Sequence, residues 1–323
     1  MLIVAGFAMS FLGLVVFKHV GPKLGLVDRP NLRSHHSKAT VLGGGFVVAL
    51  VFVILLLIAA DTGQLMLSDI GGLASTMLIL ALMGLADDRF DLPILPRLMA
   101  YCLACGFLIS IQSVHYPWPL LLVWLIFGVW TINVINFMDG LDGFATTQVL
   151  VVCVGLGLFA FWLADDGVLP STTVLCVLLV VSLLPFWLVN WPPASIFMGD
   201  SGAVFLGFTL CVIGITGFND HSLLGFAWLI LMAPFLTDAG VTLLIRLWQG
   251  RPPHIAHNDH LYQRLARRTG CARRINSGLL MLHGLWQIPL LMGLLYRPSW
   301  AFFMVFLSVI PTLFLLVRER RWR

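Results

Sequence analysis

Nothing constrains this chain more than the spacing of its apolar residues, because runs long enough to cross a lipid bilayer follow one another almost without pause from residue 2 to residue 317. A hydrocarbon core roughly 30 Å thick takes about 20 apolar residues in a helix. Backbone polar groups find no water there, so such runs are helices and not strands. The predicted spans are 2–20, 42–60, 70–86, 98–114, 119–136, 145–163, 171–190, 203–218, 222–247, 277–296 and 299–317, eleven in all. With 59% of residues hydrophobic and only 11% charged, the composition excludes a soluble domain. The expected fold class is all-α, a polytopic integral membrane helical bundle forming one domain over residues 1–323. The chain has no internal repeat and no low-complexity tract, and Gln249 to Asn276 is its one long polar segment.

The order of the spans sets an orientation. With the N-terminus outside, the loops 21–41, 87–97, 137–144, 191–202 and 248–276 and the C-terminal tail all face the cytoplasm. That assignment puts every Lys and Arg inside except Arg297, as the positive-inside rule requires. The presumed outer loops carry Asp61, Asp69, Asp165, Asp166 and Asp220. Met1 to Val16 has no basic residue before it and no small-residue cleavage site after it, and reads as a retained first span. A basic inner face suits anionic lipid or an anionic substrate, although topology alone accounts for most of the net charge of +4. No nucleic-acid partner is expected. Of the six cysteines, Cys102 and Cys105 have the spacing of a redox pair, but they lie within an apolar run and read as small packing residues.

Carboxylates are the exception to this apolar text. An unpaired Asp at a helix centre costs about 2.5–3.5 kcal/mol on insertion scales. Yet Asp87 and Asp88 end the third span, Asp139 and Asp142 follow the fifth, Asp200 precedes the eighth, and Asp238 sits within the ninth. All but Asp238 fall at the cytoplasmic ends of helices, so packing can gather them into one cleft. Oxygen-rich sites of several Asp with an Asn select hard cations, and Mg²⁺ typically takes one or two carboxylates together with phosphate oxygens.

Two acidic stretches and two basic loops stand out. Asn136-Phe-Met-Asp-Gly-Leu-Asp-Gly143 places an amide and two Asp-Gly pairs directly after a span; a turn is the bland reading of Asp-Gly, but two such pairs three residues apart point to a site. Phe197-Met-Gly-Asp-Ser-Gly202 opens the eighth helix, where glycines permit close backbone approach and free N–H groups suit an anion. Its echo of a serine-protease nucleophile loop is rejected, since Ala203 stands where a further Gly belongs. Two basic loops, Asp28 to Lys38 and Arg251 to Arg264, carry Arg, Lys and His residues suited to clamping a diphosphate. Zinc bound by His254, His257 and His260 is disfavoured, because no Cys or Glu lies nearby.

In this order the motifs resemble the polyprenyl-phosphate N-acetylhexosamine-1-phosphate transferases, or glycosyltransferase family 4. The resemblance is carried by Asp28-x-Pro-x-x-Arg33 with the triplet Gly43-Gly-Gly45, Asp87-Asp88-Arg-Phe, Asn133-x-x-Asn-x-x-Asp-Gly-Leu-Asp-Gly143, Met198-Gly-Asp-Ser-Gly202 and the His-bearing loop, and it spans roughly residues 25 to 270. It implies that the phosphate of undecaprenyl phosphate attacks the β-phosphorus of a UDP-linked N-acetylhexosamine, giving a lipid diphosphate sugar and UMP. That would be the initiating step of O-antigen or another cell-envelope polysaccharide, at the bacterial cytoplasmic (inner) membrane. It further implies Mg²⁺, with Mn²⁺ as a substitute, held by Asp200, Asn136 and Asp139. Asp87 and Asp88, near the lipid phosphate, and Asp142 would be catalytic. Arg33, His36, Lys38, Asn133, Asn136, His257, His260 and Arg264 would bind substrate. Undecaprenyl phosphate, the UDP-sugar, membrane lipids and a second copy in a homodimer are the partners expected.

The family loop commonly reads His-Ile-His-His, and here His257-Asn-Asp-His260 stands in its place, with Tyr262-Gln263-Arg264 following. A similar loop occurs in the branch that uses 6-deoxy amino sugars, so a preference for UDP-FucNAc or UDP-QuiNAc over UDP-GlcNAc is expected. The rival class is a transporter or lipid flippase, which predicts repeats and charged residues near the midplane on broken helices. Asp238, after Pro234, is the one residue that fits that description.

Overall fold

The computed structural model describes residues 2–29, 39–65, 67–112, 116–164, 169–252 and 257–320. Among them, ten helices are long and apolar enough to cross a membrane, and the expected second span, Gly45–Asp61, is a shorter apolar helix of 17 residues. In chain order these are α1 (Leu2–Val20), α2 (Gly45–Asp61), α3 (Ile70–Phe90), α4 (Ile94–Gln112), α5 (Trp118–Met138), α6 (Phe144–Leu163), α7 (Ser171–Asn190), α8 (Gly199–Asp220) and α9 (Ser222–Trp248). The short α10 (Leu261–Thr269) follows. Then α11 (Ala272–Leu282) and α12 (Ile288–Tyr296) join through a π-helical turn into one span, and α13 (Ala301–Arg320) ends the described chain.

The bundle is organised around α8, whose side chains are buried along almost the whole run from Gly199 to Gly217. Lipid offers no hydrophobic drive between helices, so close contact depends on small residues. At the start of α2, a Cβ on Gly45 would collide with the backbone of Gly202 on α8, and a Cβ on Gly84 of α3 would collide with the backbone of Asp200 and Ser201. The glycines therefore bring α2 and α3 against the first turn of α8. Outward, long apolar side chains such as Leu103, Phe161 and Phe302 stay exposed, as a lipid-facing surface requires, and Trp118, Trp162, Tyr296 and Trp300 stand exposed near helix ends like an interfacial aromatic belt.

Several expected loops are partly helical. The segment 87–97 begins as the last turn of α3, which stops only where Asp91 adopts a left-handed conformation with its N–H on the Asp87 carbonyl. The eighth helix starts at Gly199 and the fourth at Ile94. The polar segment 248–276 contains α10, whose apolar Leu261, Tyr262 and Ala266 are buried while its other face is basic. Hydropathy alone ends a helix where polar residues begin, and these ends are held by polar contacts across the bundle. Two strands, β1 (Val27–Asp28) and β2 (Thr40–Val41), pair antiparallel. Val41 also bridges Ile196, and Gly44 and Gly45 donate N–H bonds to the carbonyls of Phe197 and Met198 at 2.9 and 3.0 Å. The first inter-helix segment is thus tied to the loop that opens α8.

Candidate active site

At one end of the bundle the last turns of α3 and α5 meet the first turn of α8 around a cavity of about 440 Å³, lined by Asp88, Asn136, Asp139, Asp142, Asn190 and Asp200, with Asp28 of β1 beside them. Residues remote in sequence arrive together because α8 packs against both α3 and α5.

Asp200 lies on the first turn of α8, with its side chain 34% exposed. Asn136 donates Nδ2–H to one of its carboxylate oxygens at 2.8 Å, and Arg97 of α4 stands 3.4 Å from the other. Asp139 caps α5. Burial, then the charges of Asp200, Asp88 and Asp142, push its carboxyl well above the ordinary range. Asp142 accepts the N–H of Ala194 at 2.9 Å, and Asn276 of α11 donates to its carbonyl. The Asp-Gly-Leu-Asp-Gly turn is therefore held on two sides.

A cluster of carboxylates with few facing cations is a fit for a hard divalent ion. Among the described residues no set of three or more His, Cys, Asp or Glu side chains converges as a ready-made metal cage. Mg²⁺ does not need one, since it takes one or two carboxylates and fills its remaining positions with water and phosphate oxygens. Asp200 and Asp139 would supply the carboxylates. Asn136, with its Nδ2 given to Asp200, keeps an amide oxygen.

The other residues expected at the site take distinct places. Asp88 does line the cavity, but its carboxylate accepts the N–H groups of Asp200 at 2.7 Å and Ser201 at 3.3 Å. It caps α8 from outside the helix, and those amides are not open to an anion. Gly199, at φ +74°, gives that carboxylate room, because a Cβ there would strike its oxygens. Asp87 is buried behind the cavity wall, ion-paired with Arg97 and accepting the N–H of Leu92 at 2.7 Å. It stands at the α3–α4 turn, next to Asp88 and joined through Arg97 to Asp200. Asn133 donates to the Val129 carbonyl of its own helix at 2.7 Å and is not part of the lining, and Arg264 is buried on α10 away from it. Arg33, His36, Lys38 and His254 lie outside the described residues.

The His-bearing loop sits beside the cavity. His260 stacks on Phe137 with ring centroids 6.1 Å apart and lies tilted against His257 at 4.9 Å, and Tyr262 donates its hydroxyl hydrogen to the Phe137 carbonyl at 2.9 Å. Burial, then His260 and Arg246, lower the His257 pKa to about 4, so this ring is neutral at pH 7 and does not act as a cationic clamp. Asp259 is ion-paired with Arg246 at 2.7 Å and with Arg251 at 3.8 Å. Its carboxylate thereby anchors the loop to α9. Asp238, the transporter-like residue, receives N–H bonds from Leu261 and Tyr262.

Two site residues were not legible in the sequence. Arg97 joins Asp87 to Asp200 from α4, yet on paper it is one basic residue among those of an inner loop. Asn190 ends α7, accepts the Gly143 N–H at 3.0 Å and donates to the Ile196 carbonyl at 3.0 Å. The only signal for it is an Asn closing an apolar run before Trp191-Pro-Pro193.

The sequence profile described as "Glycosyl transferase family 4" matches residues 70–218, a range that holds every residue of the cavity named above except Asp28. The chain is 27% identical to the undecaprenyl-phosphate alpha-N-acetylglucosaminyl 1-phosphate transferase of Yersinia pestis, over 98% of this chain and 90% of that protein. It is 25% identical to the probable undecaprenyl-phosphate N-acetylglucosaminyl 1-phosphate transferase of Bacillus subtilis (strain 168), over 81% of this chain and 77% of that one. Against the Escherichia coli (strain K12) undecaprenyl-phosphate alpha-N-acetylglucosaminyl 1-phosphate transferase it is 26% identical, over 81% of this chain and 74% of that protein.

Proposed function

Because this chain belongs to glycosyltransferase family 4, the polyprenyl-phosphate N-acetylhexosamine-1-phosphate transferases, we propose that it moves an N-acetylhexosamine 1-phosphate from a UDP-sugar onto undecaprenyl phosphate. The products are undecaprenyl-diphosphate-sugar and UMP, and the step initiates an O-antigen or another envelope polysaccharide at the cytoplasmic membrane. One observation carries the reading: the bundle gathers Asp200, Asp139, Asp142 and Asn136 into a single cavity at a helix end. There a lipid phosphate held in the bilayer can meet a soluble nucleotide diphosphate. By the distribution of Lys and Arg, that end faces the cytoplasm, where the UDP-sugar is.

In phosphoryl transfer the protein chiefly positions the reactants and neutralises charge. An oxygen of the lipid phosphate attacks the β-phosphorus, the bond from that phosphorus to the oxygen bridging to UMP breaks, and UMP leaves with the electron pair. A phosphate monoester with its second pKa near 6 is already mostly dianionic at pH 7, so no strong general base is needed. Asp200 and Asp139, with the Asn136 amide oxygen, would hold Mg²⁺ or Mn²⁺, which when bound supplies the charge neutralisation the diphosphate requires. Asn136 keeps the Asp200 carboxylate aimed into the cavity. Asp88 fixes the first turn of α8 that carries Asp200. Arg97, bonded to Asp87, presents a guanidinium to the same carboxylate.

The test uses purified protein, undecaprenyl phosphate and UDP-N-acetylglucosamine labelled in the β-phosphate, with other UDP-N-acetylhexosamines in parallel. The label should enter the lipid fraction while unlabelled UMP is released. Sugar reaching the lipid with the label left in the aqueous phase would mean glycosyl transfer without phosphate, and so a different reaction.

A further inference from the structure

Within α9, Asp238 and Arg246 are both buried, in a helix that otherwise faces apolar neighbours. At 1.5 Å per residue they stand about 12 Å apart along the axis, and both turn toward the segment that follows the helix. The Asp238 carboxylate accepts the N–H of Leu261 at 2.8 Å and of Tyr262 at 3.3 Å, the first two amides of α10, and the Thr242 hydroxyl donates to it at 3.2 Å. His260 Nδ1 lies 3.8 Å away. Arg246 donates to the Asp259 carboxylate at 2.7 Å and to the Pro252 carbonyl at 3.1 Å.

A helix start leaves its first amides without partners, and a side chain of the preceding residues ordinarily supplies one. Here the local capping box of His260 and Gln263 is present, and a carboxylate from a neighbouring membrane helix takes the N–H groups of Leu261 and Tyr262 as well, which binds α10 to the bundle. A negative group at a helix N-terminus is favoured by the dipole, and more so in a partly buried setting. That offsets the cost of a carboxylate on a membrane helix. The stretch His257–His260 is thereby pinned at its C-terminal end by Asp238, and at Asp259 by Arg246. The His260 ring stacks on Phe137, the residue after Asn136, whose amide holds Asp200.

We infer that Asp238 and Arg246 are positioning residues for the donor: from inside the membrane they set the place of the His257–His260 loop at the cavity, and so act on capture of the nucleotide sugar and not on that of the lipid phosphate. This rests on the transferase reading above and on the family resemblance, which implies that His257 and His260 belong to the nucleotide-sugar loop.

The experiment compares wild type with Asp238→Ala, Asp238→Asn and Arg246→Met in detergent. It reads KM for the UDP-sugar, KM for undecaprenyl phosphate, the melting temperature, and backbone amide exchange of the peptide covering residues 257–265. Asp238→Ala should raise KM for the UDP-sugar tenfold or more, leave KM for the lipid phosphate within twofold, and speed exchange in that peptide with little change in melting. Asp238→Asn keeps an oxygen for the Leu261 N–H and should recover most of the loss, and Arg246→Met should reproduce the split from the other anchor. Equal rises in both KM values, or slow exchange retained in Asp238→Ala, would overturn the inference. Should Asp238→Ala not fold, Asp238→Asn and Arg246→Met decide it by the same split. An inactive wild type would sink the transferase reading alone, and exchange would still decide whether Asp238 holds α10.

Discussion

Asp88 places its carboxylate on the amides of Asp200 and Ser201, whereas Asp200 keeps one oxygen on Asn136 and leaves the other toward the cavity, 3.4 Å from Arg97. The first therefore holds backbone amides and the second meets side-chain donors, although both stand in acidic motifs of similar appearance. Asp200→Asn keeps the shape and removes the charge a hard cation needs. Turnover should fall by a factor of about 10² to 10³, the usual cost of deleting a well-placed charge-stabilising group, while the protein inserts and purifies as before. A Mg²⁺ titration of initial rates checks it, and turnover within tenfold of wild type at an unchanged Mg²⁺ requirement would assign Asp200 a structural role. Asp87 and Asp88 are legible as important from their place at a helix end. Which of two adjacent carboxylates faces the cavity and which pairs with Arg97 depends on the rotation of α3 against α8, and a dipeptide carries no record of that.

The start of α8 is where elements converge: α2 through Gly45, α3 through Gly84 and Asp88, and the loop before it through Val41 and Ile196. With the Cβ of Gly45 excluded by the Gly202 backbone, the contact has no slack. Gly202→Ala should force α2 from α8 and cost roughly 1–3 kcal/mol, the range for overpacking a tight contact. A lowered melting temperature in detergent, together with reduced turnover because Asp200 lies two residues away, is the expected outcome. Unchanged melting would show that the two backbones separate freely. The apolar runs announce these helices, but the closeness of α2 to α8 is visible in the sequence only as the unexplained triplet Gly43-Gly-Gly45.

For the whole molecule, the charge asymmetry and the position of the cavity make one prediction together. In a background lacking the six native cysteines, a single cysteine at position 220 should react with an impermeant reagent added to intact cells, and single cysteines at 140 and 259 should not. Position 140 lies in the Asp-Gly turn beside the cavity, between Asp139 and Leu141. Labelling there from outside would place the cavity on the wrong side of the membrane for a cytosolic UDP-sugar, and would overturn the proposed reaction along with the orientation.

Hydropathy by itself determined that this protein is a helical membrane bundle, because the requirement to satisfy backbone polar groups in lipid leaves no other structure for runs of that length. The motifs after the third and fifth spans and before the eighth pointed to a polar site at one end of the bundle, because carboxylates at helix ends in such a chain call for a compensating cation or partner. What only the tertiary structure decided is the division of labour among those carboxylates. Asp238 became a cap for α10, Asp259 an anchor on Arg246 and Asp87 a partner of Arg97, while Asp200 lines the cavity beside Asp88, Asp139 and Asp142. The physical reason is that a hydrogen-bond partner contributed by another helix is set by the rotation and depth of both helices, and those depend on packing contacts spread over the whole bundle.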